Sequence, residues 1–282
     1  MKLKFIAITL AVSALAACSP SKKEKVTDDG SISARTPETE NLLAHLKKVS
    51  SRGFMFGHHD DTNYGIGWEG DEGCSDVKSV CGDYPAVISF DLGHLELGDT
   101  LSLDKVPFSK IRREILNQYK RGGLSSLSWH LRNPLTGGDS WDVSDTTVVK
   151  SILPGGVHHE KFAGWVSKVS AFINSLQTED GVKVPVLFRP WHEHTGSWFW
   201  WGEKLCTPEE YKALWHMTVD ILRGDGVDNA LYAYSPGGEP QDTAQYLKRY
   251  PGDDLIDVIG FDTYQFDRPS YLANVGKSLA IV

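Results

Sequence analysis

The sequence has few cysteines and no excess of positive charge. Only four of its 282 residues are cysteine, and none has the spacing of a zinc site. The formal net charge of −8 argues against nucleic acid as a partner. No glycine-rich phosphate loop follows the first predicted strand, so the usual mark of a nucleotide-binding doubly wound sheet is missing. We expect no cofactor.

The first 18 residues have the features of an export signal. A short basic start precedes an apolar run that is too short to span a membrane comfortably. The ending Leu-Ala-Ala-Cys18 resembles a bacterial lipoprotein signal, in which Cys18 becomes the lipidated first residue; a secretory signal with an incidental cysteine is the alternative. Residues 19–38 are polar and predict a flexible tether. We therefore expect a domain, residues 39–282, attached by lipid to a membrane of the cell envelope.

Short apolar runs alternate with helical patterns along this domain. The runs cover residues 54–61, 86–93, 124–134, 184–193, 231–238 and 258–264, and the main helical patterns follow Thr36 and cover residues 104–123, 161–177, 207–226 and the last part of the chain. This alternation predicts an α/β fold with a parallel sheet. Polar or aromatic residues end every run, namely His58-His59-Asp60, Asp91, His130, Glu193, Tyr234 and Asp262. A TIM barrel builds its active site in this way, and we prefer it to a doubly wound sheet.

The number of strands does not match a complete barrel. A (β/α)8 barrel has eight strands, and the sequence predicts six before it ends at Val282. Either the chain is truncated at its C-terminus, with about two strand–helix units missing, or the assigned fold is wrong.

Residues 184–202, VPVLFRPWHEHTGSWFWWG, combine a buried strand pattern with an unusual group of side chains. Arg189, His192, Glu193 and His194 follow the strand, and three tryptophans come directly after them. A carboxylic acid that protonates a glycosidic oxygen near neutral pH needs a raised pKa, which apolar neighbours provide, and flat indole rings can stack on sugars. The alternative is a core strand followed by a buried aromatic cluster.

The motif RPWHEHTGSWFWWG resembles the acid/base motif of the β-mannanases of glycoside hydrolase family 26. FMFGHHDDTNYG, SWHLRNPLTGGDSWD, LYAYSPGG and IGFDTY resemble other segments of the same family, so the resemblance covers about residues 40–282. It implies a (β/α)8 retaining hydrolase that cleaves internal β-1,4 linkages of mannan, galactomannan or glucomannan. Some members cleave mixed-linkage glucan or xylan instead.

By position in these motifs, Glu193 matches the general acid/base. The resemblance implies substrate-binding or supporting roles for His130, Trp141, Arg189, His192, Trp198, Asp262 and Tyr264. In particular, Tyr264 would help to orient the nucleophile. A structural ion pair with Arg189 is the alternative role for Glu193.

The second catalytic group is not found in the sequence. A retaining mechanism needs two carboxyl groups about 5 Å apart, and the family nucleophile is a glutamate that ends the seventh strand. The last glutamate here is Glu239, so we expect the nucleophile beyond Val282 and this exact chain to be inactive. Asp262 is the nearest substitute, but it has a shorter side chain and lies on a different strand.

Two further features remain open from the sequence. Cys74 and Cys81 bracket the short segment SDVKSV, and export would permit a disulfide between them. His58, His59, Asp60 and Asp61 could suggest a metal site, but adjacent residues of a strand point to opposite faces, so we expect no metal.

Two other functions compete with the hydrolase. The first is a non-catalytic mannan-binding surface lipoprotein. Against it, a barrel without two strands would expose two sheet edges. The second is a solute-binding lipoprotein of a transporter, which does not account for the tryptophan-rich acid/base motif.

Overall fold

A central sheet of parallel strands organises the protein. The computed structural model describes residues 35–264 and 267–282, so the predicted signal, Cys18 and most of the predicted tether lie outside the described residues. The strands are β1 (Gly57–His59), β2 (Tyr64–Gly65), β3 (Trp68–Glu69), β4 (Val87–Asp91), β5 (Leu124–Ser128), β6 (Val186–Arg189), β7 (Ala230–Tyr234) and β8 (Val258–Ile259). Six of them form one sheet in the order β1-β4-β5-β6-β7-β8, with parallel pairing throughout.

Helices connect the successive strands of this sheet, and one further helix precedes the first strand and another follows the last. They are α1 (Pro37–Ser50), α2 (Asp76–Cys81), α3 (Phe108–Lys120), α4 (Val148–Ile152), α5 (His159–Asn174), α6 (Pro208–Gly224), α7 (Thr243–Leu247) and α8 (Arg268–Ile281), with a 3-10 turn at Leu95–Leu97. This order gives six strand–helix units of a (β/α)8 barrel, as predicted. The antiparallel β2–β3 hairpin and the short helices α2, α4 and α7 were not predicted. No helix in the described residues is long and apolar enough to cross a membrane.

The hydrophobic core lies between the sheet and its helices. Every residue of β5 and of β7 is buried. On β4 and β6, Ile88, Phe90 and Phe188 are completely buried and belong to the same apolar cluster as residues of α3, α5 and α6. Such burial fixes the direction of each strand, and hence the place where its C-terminal residues come together.

The start of the domain is fixed by contacts with distant residues. Thr36 caps α1 by accepting a hydrogen bond from the Thr39 amide, and its own amide donates to the carbonyl of Asp228 at 3.1 Å. Arg35 pairs with Asp257 at 2.7 Å. The helix therefore begins at Pro37, inside the range predicted for the tether.

The disulfide between Cys74 and Cys81 that the sequence left open is not formed in the described structure, where both cysteines are free thiols. The segment between them is not a loop. Residues 76–81 form α2, capped by Ser75 and ended by Gly82 at φ 87°.

Helix α6 follows the loop that contains most of the tryptophan-rich motif, and its first turn has a capping box. The Thr207 side chain accepts from the Glu210 amide at 3.1 Å, and the Glu210 carboxylate accepts from the Thr207 amide at 2.9 Å. Both contacts satisfy amides that the helix itself leaves unpaired.

We predict that Thr207→Ala lowers the free energy of unfolding by about 1 kcal/mol, because a helix amide loses its acceptor. Thr207→Ser keeps the hydroxyl and serves as the matched control. Urea unfolding of both variants checks this. Equal losses in the two would show that the hydroxyl has no stabilising role.

Candidate active site

The loop after β6 contains a backbone turn of unusual conformation. Trp191 and Glu193 have φ angles of 56° and 53°, in the left-handed region that residues with a side chain rarely adopt. Such a conformation costs about 1–3 kcal/mol per residue and persists only where surrounding contacts fix it. Both side chains are buried, and Glu193 is 6% exposed.

Hydrogen bonds from four other segments hold this turn. The Tyr211 hydroxyl of α6 donates to the carbonyl of Trp191 at 2.7 Å. The Trp201 indole donates to the carbonyl of His192 at 2.9 Å. The remaining two contacts run from the Glu193 amide to the carbonyl of Ser235, at 2.8 Å, and from Arg249 to the carbonyl of His194, at 2.9 Å. The turn is thus held at each residue from 191 to 194.

Arg249, which follows α7, makes the largest number of these hydrogen bonds. Its guanidinium is buried and donates to the carbonyls of His194, Trp201, Gly202 and Cys206. It also lies 4.7 Å from the centre of the Tyr211 ring. Carbonyl dipoles and an aromatic face therefore replace the water that the charge loses on burial.

The carboxylate of Glu193 faces a cavity of about 260 Å³. Its Oε2 accepts a hydrogen bond from the Trp198 indole at 2.8 Å, and the Trp198 ring remains 39% exposed beside it. Partial burial of the Tyr264 hydroxyl, together with its hydrogen bond to Glu193, raises the pKa of Tyr264 to about 12. Tyr264 lines the same cavity as the predicted acid/base, and its expected role in orienting the nucleophile stays a prediction. Glu239 also lines this cavity.

Arg189 is paired with Asp262 and not with Glu193. Its Nη1 lies 2.7 Å from Asp262 Oδ2, and the same oxygen accepts a hydrogen bond from the Ser235 hydroxyl at 2.5 Å. The structural ion pair that was the alternative role for Glu193 is therefore absent. Arg189 ends β6, whereas Ser235 and Asp262 lie in the segments that follow β7 and β8.

On the other side of Glu193, two histidines contact each other. Nδ1 of His130 lies 2.7 Å from Asp91 Oδ2, and Nε2 of His130 lies 3.0 Å from Nε2 of His192. The Trp141 ring is stacked on His130, with 10° between the planes. The structure therefore brings the predicted residues Trp141, His130 and His192 together.

The polar residues in β1 and directly after it form two separate pairs. His58 pairs with Asp61 at 3.2 Å, and His59 pairs with Asp60 at 3.2 Å. The four side chains thus do not all meet at one point, as the sequence argument expected, although His59 and Asp60 are neighbours in the chain and still pair. Asp60 follows β1 with a φ of 51°, outside the extended backbone of the strand, and its carboxylate lies beside His59.

His59, Asp60 and Asp104 are the described residues that could hold a metal ion, since one ligand atom of each lies within 4.8 Å of the other two. The carboxylate of Asp60 already accepts hydrogen bonds from Asn63 and Tyr64. Burial, followed by the charges of Asp60 and Asp91, raises the pKa of Asp104.

Tyr234, predicted at the site because it ends a strand, does not reach the cleft. It is completely buried, donates to the carbonyl of Tyr246 at 2.8 Å and packs against His194. Sequence reasoning gave no role to Arg249, Tyr211 or Ser235, because their positions follow from tertiary packing. A buried arginine after a short helix has no sequence signal of its own.

We predict that Arg249→Met lowers the free energy of unfolding by about 3 kcal/mol, because the carbonyls around the strained turn lose a charged donor. Lys248→Met is the matched control, since Lys248 forms an exposed pair with Glu203 at 3.4 Å and such pairs contribute about 0–1 kcal/mol. Denaturant unfolding measures both. Equal stability of the two variants would contradict the role of Arg249.

Comparison with known proteins agrees with this geometry. The profile described as "Glycosyl hydrolase family 26" matches residues 32–277. A β-mannanase structure from Bacteroides ovatus is 61% identical, with a TM-score of 0.86, over 88% of this chain and 72% of that chain. A mannan endo-1,4-beta-mannosidase of Bifidobacterium adolescentis is 38% identical over 82% of this chain but only 23% of its own length. One from Bacillus subtilis is 27% identical over 87% of this chain and 68% of its length. The chain belongs to glycosyl hydrolase family 26.

Proposed function

We propose that this chain is the acid/base-bearing part of an endo-acting, retaining β-1,4-mannanase. The observation that carries the proposal is the placement of Glu193 after β6. Its carboxylate faces the cavity and is hydrogen-bonded to Trp198, whose ring remains partly exposed. An oriented carboxyl group beside an aromatic surface suits proton transfer to a glycosidic oxygen of a bound sugar chain.

Mannan is the substrate that the relatives favour. Seven relatives named mannan endo-1,4-beta-mannosidase match the chain over 53–87% of its length. An endoglucanase from Acetivibrio thermocellus matches over 35%. The chain spans about a quarter of the Bifidobacterium relative, so its substrate is part of the proposal. Galactomannan and glucomannan share the same β-1,4 linkage.

In this mechanism Glu193 protonates the leaving oxygen and later removes a proton from the attacking water. The other carboxylates near the cavity are poorly suited to be the nucleophile. Asp262 is held by Arg189 and Ser235, and Glu239 Oε2 accepts a hydrogen bond from Thr195 at 2.7 Å. The expectation of a nucleophilic glutamate from a seventh strand remains a prediction.

We predict that Glu193→Ala in the full-length protein lowers the turnover of galactomannan by roughly 100-fold or more, because the leaving oxygen loses its proton donor. An aryl β-mannoside with a very good leaving group needs little protonation, so its first step should be spared. Reducing-sugar release and the burst of released phenol measure the two effects. Glu209→Ala, which removes an exposed carboxylate from the first turn of α6, is the control.

An equal loss on both substrates would contradict the acid role of Glu193. Full activity of Glu193→Ala on galactomannan would contradict the proposed function altogether.

We also propose that Cys18 is lipidated and attaches the enzyme to a membrane of the cell envelope. The support is the Leu-Ala-Ala-Cys18 ending of the apolar leader. We predict that cells fed an alkyne-labelled fatty acid label the wild-type protein and Cys81→Ser, but not Cys18→Ser. Cys81 is an exposed thiol and therefore a matched control. Label on Cys18→Ser would contradict the proposal.

A further inference from the structure

A chain of hydrogen bonds links a buried aspartate to the residue that precedes Glu193. Asp91 ends β4, His130 follows β5 and His192 follows β6, so three neighbouring strands contribute to it. The contacts are Asp91 Oδ2 to His130 Nδ1, at 2.7 Å, and His130 Nε2 to His192 Nε2, at 3.0 Å. Both ring nitrogens of His130 therefore have protein partners.

The charge of Asp91 determines which nitrogen of His130 carries a proton. Asp91 is 2% exposed, and burial alone would raise its pKa, but hydrogen bonds from His130, Ser128 and Gly93 hold the pKa below its usual range. An ionised carboxylate can only accept a hydrogen bond. Nδ1 of His130 must therefore carry a proton.

The second proton follows from the burial of His192, which is 2% exposed. Burial, followed by the charge of Arg189, holds the pKa of His192 well below its usual range, so the ring is neutral and has one N–H. Nδ1 of His192 is buried without a hydrogen-bond partner, whereas Nε2 faces His130. A proton on Nε2 has an acceptor, and a proton on Nδ1 would be an unpaired buried donor.

We propose that Asp91 is a positioning residue, which acts through His130 to fix the tautomer and orientation of His192 beside Glu193. His192 donates from Nε2 to His130, and His130 donates from Nδ1 to Asp91. One ring nitrogen of His130 is thus bound to Asp91 and the other to His192, so the position of Asp91 determines the orientation of both rings. This differs from the role of direct sugar ligand expected from the sequence.

The orientation of His192 matters because its backbone lies between the two residues of unusual φ. Trp201 holds its carbonyl, and His130 holds its ring. If the ring contact is lost, a buried nitrogen loses its partner next to the residue that places the Glu193 carboxylate. The consequence for catalysis rests on the proposed function, whereas the tautomers do not.

Asp91→Asn tests the chain because the local contacts fix the direction of the new amide. Asp91 Oδ1 accepts from the backbone amides of Gly93, at 2.7 Å, and His130, at 3.2 Å, so the oxygen of Asn must stay there. Its NH2 group then faces His130 Nδ1, which must become an acceptor. His130 moves its proton to Nε2, and His192 moves its proton to Nδ1.

The experiment is ¹⁵N-histidine NMR of the full-length protein, with His130 and His192 assigned by single His→Gln substitutions. We expect His130 Nδ1–H and His192 Nε2–H in the wild type, and the reverse for both rings in Asp91→Asn. Ser128→Ala is the matched control. It removes a 2.6 Å hydrogen bond to the same Asp91 oxygen without placing a donor there, so both tautomers stay.

The wild-type spectrum alone overturns the proposal if His192 carries its proton on Nδ1, even if Asp91→Asn fails to fold. Unchanged tautomers in a folded Asp91→Asn also overturn it. On galactomannan we expect kcat of Asp91→Asn to fall roughly 10-fold or more, with KM changed by less than about threefold. Reversed tautomers with an unchanged kcat would overturn the positioning role. A wild type without hydrolysis would overturn the proposed function, and the tautomers would still decide the assignment of protons.

Discussion

The geometry of the site depends on holding the backbone at Trp191 and Glu193 in the left-handed region. This conformation points the Glu193 carboxylate into the cavity while its amide donates to Ser235 at the end of the next strand. A turn of this kind relaxes unless it is held by neighbouring contacts. The buried donors on Tyr211, Trp201 and Arg249 supply that constraint.

These donors come from consecutive units of the barrel, which links the site to the core. Helix α6 supplies Tyr211, and the segment after α7 supplies Arg249. The aromatic residues of the motif contribute both to the core and to the cleft. Trp200 and Trp201 are completely buried and pack against Trp191, whereas Trp198 extends into the cleft and contacts Glu193. Of these tryptophans, only Trp198 therefore matches the sugar-stacking interpretation of the sequence.

The sequence predicted the order of strands and helices because apolar runs and caps are local signals. Thr36 and Thr207 begin helices as expected. Side-chain direction at strand ends was harder to predict, since it depends on backbone angles and packing. Tyr234 ends a strand but is buried against His194, and the Asp60 carboxylate lies beside His59 although the two residues are neighbours in the chain. The Cys74–Cys81 disulfide, which the sequence left open, is not formed in the described structure, and the segment between the two cysteines is a helix and not a loop.

The aspartates on the two sides of Glu193 are each hydrogen-bonded to a basic side chain, and neither of these basic side chains forms an ion pair with the Glu193 carboxylate. Asp91 accepts from His130 on one side, and Asp262 accepts from Arg189 on the other. Each aspartate ends or follows a strand of the sheet, so the strand order brings Asp91 close to His130 and Asp262 close to Arg189. A carboxyl group that transfers a proton must exist in both protonation states, which a direct ion pair with Arg189 would hinder. The pairing of Arg189 with Asp262 removes that obstacle, and the remaining contacts of Glu193 come from the neutral side chains of Trp198 and Tyr264.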